Sequence, residues 1–277
     1  IPITAASLIV FVLMSLKLTP TQQAADALGR QNWFGEFANY PPDFLQMLWF
    51  STVAVYWRRP SYSYGPFLWT MAVELIGSVI VLSLSHRLRW HWFAYLALLI
   101  LIGVQLFGLP MIACFPAGAL IALLQADGAI FSKPAGRIES GIATALLIAS
   151  LPLAAATQIH PWNRWTLTAT GMVFFLAALR SVPAQRLLSS PLSRWMGSIS
   201  FPLYLVQYPV LISVAAGLIT TAKAGSWLTP WSALGIGFFC IGLTIVVAWL
   251  FMPVERFTLR IIQQIAVRRP LPAARAV

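Results

Sequence analysis

Apolar residues run along this chain in long blocks, and polar residues gather between the blocks instead of alternating with them. Bounding the blocks by Pro, Gly and charge gives eight segments, roughly residues 1–18, 67–85, 92–108, 110–125, 139–157, 164–180, 198–220 and 231–252. A helix needs about 20 mostly apolar residues, at about 1.5 Å each, to cross the hydrocarbon core of a bilayer. The segments are predicted to be helices because a lone strand in lipid leaves its backbone groups unpaired, and no alternating pattern points to a closed barrel. A ninth block, Phe44 to Trp57, sits between Pro41-Pro42-Asp43 and Arg58-Arg59-Pro60 and falls short of a span. It is expected to be re-entrant, interfacial or strongly tilted. The fold class expected is all-α, a polytopic transmembrane bundle.

Composition sharpens this. Of 277 residues, 59% are hydrophobic and 9% charged, against about 25% charged in soluble domains. So few charges leave a soluble fold without its polar shell. The net charge of +11 would suit a nucleic-acid binder, but the bases fall in the gaps between apolar blocks, as loop-retention signals do. No nucleic-acid partner is expected. With eight spans and a cytoplasmic C-terminus, the inside loops hold Arg87, Arg89, Lys133, Arg137, Arg180, Arg186, Arg194, Arg256, Arg260, Arg268, Arg269 and Arg275, twelve of the 18 bases. A nine-span reading changes only the side of the residues before Trp69.

Residues 1–255 are thus read as the membrane domain and 256–277 as a basic, amphipathic cytoplasmic tail lying against anionic lipid. The apolar run beginning at Ile1 is expected to belong to a chain joined part-way. Trp90, Trp92, Trp162, Trp165, Trp227 and Trp231 lie near segment ends, as an interfacial belt places them. Cys114 and Cys240 sit inside apolar blocks and read as packing residues. No repeat and no matched pair of broken helices supports a repeat-built transporter.

Few residues can carry chemistry. Asp26, Glu36, Asp43, Asp127, Glu139 and Glu255 lie in loops or at segment boundaries, whereas Glu74 lies inside a span. An acid at the bilayer centre costs about 2.5–3.5 kcal/mol on insertion scales, so it is retained for function or held by a neighbouring helix. His86, His91 and His160 fall in loops; no catalytic triad, zinc spacing or phosphate loop can be assembled. The run Gly197 to Pro209 places Ser200, Tyr204 and Gln207 on one helical face between Pro202 and Pro209. That face reads either as a kinked, water-accessible surface or as hydrogen-bonding contact between helices.

Four elements in order, Trp69-Thr70-Met71-Ala72-Val73-Glu74, Phe115-Pro116-Ala117-Gly118, Gly197 to Pro209 and Pro253-Val254-Glu255-Arg256, resemble the bacterial membrane-bound acyltransferase 3 family. The resemblance implies about ten helices in an inner membrane. It also implies transfer of acetyl or a similar acyl group from cytoplasmic acyl-CoA, the donor substrate, to a hydroxyl of a cell-surface or exported carbohydrate. No bound cofactor or metal is implied. Glu74 would be the catalytic residue, with Trp69, Ser200, Tyr204 and Gln207 on the substrate and Arg180, Arg186 and Arg194 on the CoA phosphates. The three arginines also fit the positive-inside pattern alone. The family's signature of Arg followed eleven positions later by His has no counterpart in these residues, and Gln207 stands where many members carry His. Gln cannot take a proton, so the chain as it stands is expected to lack a base and be inactive. Two other classes fit the composition: a carrier or flippase for a glycan or lipid intermediate, gated at Glu74, and a non-catalytic membrane partner.

Overall fold

A computed structural model describes residues 1–31, 34–57, 63–87, 112, 114–126, 128, 131, 134–157 and 163–267. Among these, the regular structure is helical throughout, with no strand. Three helices are long and apolar enough to cross a membrane, Arg137–Ala156, Pro191–Ala224 and Pro230–Ile265, and the chain is a membrane protein. They coincide with the expected segments 139–157, 198–220 and 231–252. Segments 1–18, 67–85, 110–125 and 164–180 are realised as shorter apolar helices, Pro2–Ser15, Pro66–Leu82, Cys114–Ala126 and Thr168–Arg180. The expected segment 92–108, His91, His160 and the residues after 267 lie outside the described residues.

The described residues fall into two compact units, Ile1–Thr70 with Trp195–Val277, and Met71–Arg194. The first unit opens with α1 (Pro2–Ser15). Pro2 begins it, where a missing N–H costs nothing. It ends sooner than the apolar run because the Leu18 N–H bonds to the Leu13 carbonyl and the Lys17 N–H to that of Met14. Lys17 adopts a left-handed φ of 57° between them, a Schellman stop that usually uses Gly. Helix α2 (Thr21–Leu28) ends on Gly29 at φ 64° and packs on α10 (Ala216–Ala224). Ala24, Ala25 and Ala216 let the two backbones approach closely, with Phe34 sealing the contact.

Helix α3 (Phe44–Thr52) is capped by the Asp43 carboxylate, which accepts from the Gln46 N–H at 2.8 Å. It packs against α1 and runs into a 3-10 turn, Ala54–Tyr56. A second 3-10 turn, Pro66–Trp69, precedes α4 (Thr70–Arg87). Helix α9 (Pro191–Val210) carries Pro202 and Pro209 and passes through a π turn, Leu211–Ala215, into α10.

The last helix, α11 (Pro230–Val267), has 38 residues, about 57 Å at 1.5 Å per residue. It runs unbroken through Pro253, where the sequence reading ends the span and starts a separate surface helix. A mid-helix proline removes one hydrogen bond and kinks the rod without ending it when apolar residues continue on both sides.

In the second unit α6 (Arg137–Thr157) and α7 (Asn163–Arg180) form a hairpin. Leu146, Ala149, Ser150 and Leu153 of α6 face Thr166, Ala169, Thr170 and Val173 of α7 across a cavity of about 340 Å³. The small residues in mid-stripe leave this gap. Polar groups lock the far end of the hairpin to α8 (Val182–Leu188). Thr144 donates to the Ser140 carbonyl at 2.7 Å, so the fully buried Ser181 hydroxyl donates to Thr144 Oγ1 at 2.8 Å. Ser181 in turn caps α8 by accepting from the Ala184 N–H, and Ser140 Oγ accepts from the Val182 N–H. Gly77 of α4 lies so close to Phe115 of α5 (Cys114–Ala126) that a Cβ would overlap the ring.

Candidate functional site

Spacings of four and three put Ser200, Tyr204 and Gln207 on one face of α9. Ser200 is exposed and returns its hydroxyl to the Gly197 carbonyl at 2.8 Å. Gln207, half-buried, makes no hydrogen bond to the described residues, which leaves its amide able both to donate and to accept. Tyr204, half-buried, donates to the Phe67 carbonyl. Its single proton being placed there, the 2.8 Å bond with Thr70 Oγ1 runs from threonine to tyrosine. One phenol thereby ties α9 to the 3-10 turn and to the first residue of α4. Trp69, in that same turn, is exposed.

Beside this face stands an aromatic triad that sequence reasoning did not single out. The rings of Phe37, Phe67 and Tyr208 meet pairwise edge to face, each pair at 5.8 Å between centroids. Such pairs are worth about 0.5–1.5 kcal/mol beyond the area they bury. Phe37 is fixed in turn by the Thr21 hydroxyl, which donates to its carbonyl at 2.7 Å. The signal was present in Tyr208, adjacent to Gln207, but its partners lie in segments far away along the chain.

A second cluster follows. The Tyr64 hydroxyl accepts from the Asp43 N–H at 2.9 Å and donates to the Asp43 carbonyl at 2.8 Å, fixing the Pro41-Pro42-Asp43 turn. Tyr40 packs edge-on to Tyr64 at 5.6 Å. Burial is the largest influence raising the pKa of both phenols above the ordinary tyrosine value. For Tyr40, the neighbouring Tyr208 and Tyr64 add to it.

Glu74 belongs to the second unit, on α4. It is exposed and has no hydrogen bond or ion pair among the described residues. The three arginines divide. Arg180 holds Glu139 through two bonds of 2.5 Å, from Nε to Oε1 and from Nη2 to Oε2, and its guanidinium stacks over Phe131 at 5.0 Å. Arg186, in the last turn of α8, and Arg194, in the first turn of α9, are exposed, with no carboxylate partner among the described residues.

No family model matches this chain. Curated proteins and solved structures likewise return no match. Glu74 and the polar face of α9 are the two candidate centres.

Proposed function

We propose that this chain is a membrane O-acyltransferase, moving an acetyl or similar acyl group from cytoplasmic acyl-CoA to a hydroxyl of a cell-surface or exported carbohydrate. The reading includes eight spans in a bacterial inner membrane and a cytoplasmic C-terminus. The observation that carries it is Glu74, a carboxylate on an apolar helix, preceded by Trp69-Thr70 in an acyltransferase-like element and left without a bonding partner among the described residues. A glutamate kept only to join helices would need such a partner. With none among the described residues, Glu74 stands available to a substrate or a proton.

In the proposed reaction the acceptor hydroxyl oxygen attacks the thioester carbonyl carbon. The C–S bond breaks, the thiolate leaves as CoA, and the hydroxyl proton passes to a base. Glu74 orients the group that takes it. Gln207 positions substrate, because its amide donates and accepts but takes no proton. Arg186 and Arg194 are the guanidinium groups left for CoA phosphates, while Arg180 is held by Glu139.

The test uses the protein in lipid nanodiscs with radiolabelled acetyl-CoA, and membranes of the natural producer for turnover onto glycan. Binding of acetyl-CoA together with a sharp loss of turnover in Glu74→Gln, at unchanged expression, is expected. Glycan movement that ignores acyl-CoA would replace this reading with a carrier gated at Glu74. Acetyl-CoA binding without turnover by the natural protein would instead make it a non-catalytic partner.

A further inference from the structure

Helix α3 and the 3-10 turn after it show two faces that fit neither a water-exposed nor a spanning helix. One face is sealed in the first unit, where Met47, Phe50 and Ser51 are buried and the Phe50 ring lies 6.1 Å from Tyr64. The other presents Leu45, Trp49 and, past the turn, Trp57, which are 74%, 61% and 82% exposed. Nine residues reach about 14 Å at 1.5 Å per residue, under half the ~30 Å hydrocarbon core.

Depth is set by α1. The Phe44 ring meets Phe11 edge-on at 5.8 Å, one turn before α1 ends at Ser15 with Lys17 beyond it. Helix α3 therefore lies level with the end of an apolar helix. Helix α2, in the same unit, instead exposes Gln22, Gln23 and Asp26, side chains suited to water. Directly after Trp57 the sequence continues Arg58-Arg59.

We propose that α3 lies along the bilayer interface, with the Trp49 and Trp57 indoles in the boundary between headgroups and acyl chains. Indole suits that boundary, being apolar in bulk with one N–H to satisfy at the wet edge. Interfacial helices ordinarily set a polar face toward water; here the protein itself covers that side. The result is a wedge that fixes the height of the 3-10 turn, Tyr64 and the aromatic triad relative to the membrane surface.

The test places single cysteines, in a Cys114→Ala, Cys240→Ala background, by Leu45→Cys, Trp49→Cys, Trp57→Cys and Gln22→Cys. Each is spin-labelled and reconstituted in phosphatidylethanolamine–phosphatidylglycerol vesicles, and its collisions with oxygen and with a water-soluble nickel chelate are compared. Positions 45, 49 and 57 should show an oxygen-to-nickel accessibility ratio several-fold above that at position 22. Equal ratios at all four would put α3 in water and overturn the proposal. Shielding of 45, 49 and 57 from both reagents would overturn it too, by showing that protein covers the face. If Trp49→Cys fails to elute as a single species, Leu45→Cys and Trp57→Cys decide, since neither side chain is buried.

Discussion

Replacing Tyr204 by Phe keeps the ring and removes one hydroxyl, so it isolates the bonds tying α9 to Phe67 and Thr70. The Phe67 carbonyl loses a donor and the Thr70 hydroxyl an acceptor. A buried polar group left unmet costs about 1–3 kcal/mol, while hydrogen bonds between helices in membranes average about 0.6 and reach about 1.7 kcal/mol. Because Tyr204 is half-buried, Tyr204→Phe should cost about 1–2 kcal/mol, taking the lower part of those ranges. Thr70→Val, which leaves the Phe67 bond in place, should cost about half as much. The double variant should fall short of the sum by about 0.5–1 kcal/mol, the signature of a shared contact. The assay is reversible unfolding in mixed micelles with increasing dodecyl sulfate, followed by tryptophan fluorescence. Strict additivity, or an unaltered midpoint for Tyr204→Phe, would refute the clamp. Unchanged stability with reduced turnover would return the hydroxyl to substrate.

Ser181→Ala removes both the α8 cap and the donor to Thr144, so the same unfolding assay should show a loss of about 1–2 kcal/mol. Gly77→Ala overlaps the Phe115 ring and should cost about 1–3 kcal/mol, with Phe115→Leu in the same chain recovering part of it. Arg180→Gln should lower the melting temperature slightly, a loss of at most about 1 kcal/mol for an exposed pair, and leave acetyl-CoA affinity unchanged. Arg186→Gln with Arg194→Gln should weaken that affinity by isothermal titration at unchanged melting temperature; the reverse pattern would reassign the phosphates to Arg180. Tyr40 and Tyr64 are held above their ordinary pKa, so the folded chain keeps protons that the unfolded chain gives up. Their contribution is complete below the unfolded value near 10 and is lost as pH climbs toward the folded values. Unfolding midpoints measured from pH 8 to 11.5 should fall above pH 10, less steeply in Tyr64→Phe.

Helix type and the membrane environment were legible in the sequence because lipid leaves a lone apolar segment one way to pair its backbone. Helix ends were not. The halt at Ser15 depends on a lysine taking a left-handed φ, a conformation that composition does not announce. The passage of α11 through Pro253 depends on what lies on either side more than on the proline. The common face of Ser200, Tyr204 and Gln207 followed from helical spacing, whereas the partner of Tyr204, a backbone carbonyl 137 residues away, has no spacing rule. Arg180 was read as an orientation signal or phosphate ligand. Its pairing with Glu139, 41 residues distant, joins two helices of a hairpin and leaves no trace in local pattern.

The backbone of α9 gives an independent reason to look for chemistry there. Proline at 202 and 209 supplies no N–H, so the carbonyls of Ser198 and Leu205 lose their helical donors. The π turn at Leu211–Ala215 shifts the register again, and Ser213 donates to the Pro209 carbonyl at 2.6 Å. Freed carbonyls cannot face acyl chains at tolerable cost, so such a helix must be enclosed by protein or border water. Burial agrees, with Pro202, Leu205, Val206, Tyr208, Pro209 and Val210 enclosed, whereas α11 shows Phe238, Phe239, Ile241, Trp249 and Leu250 outward. The outward apolar face of α11 suits lipid, and α9 is held inside the first unit with its polar face bordering the packed side. On that face Gln207 is the side chain without a hydrogen bond among the described residues, its amide able both to donate and to accept.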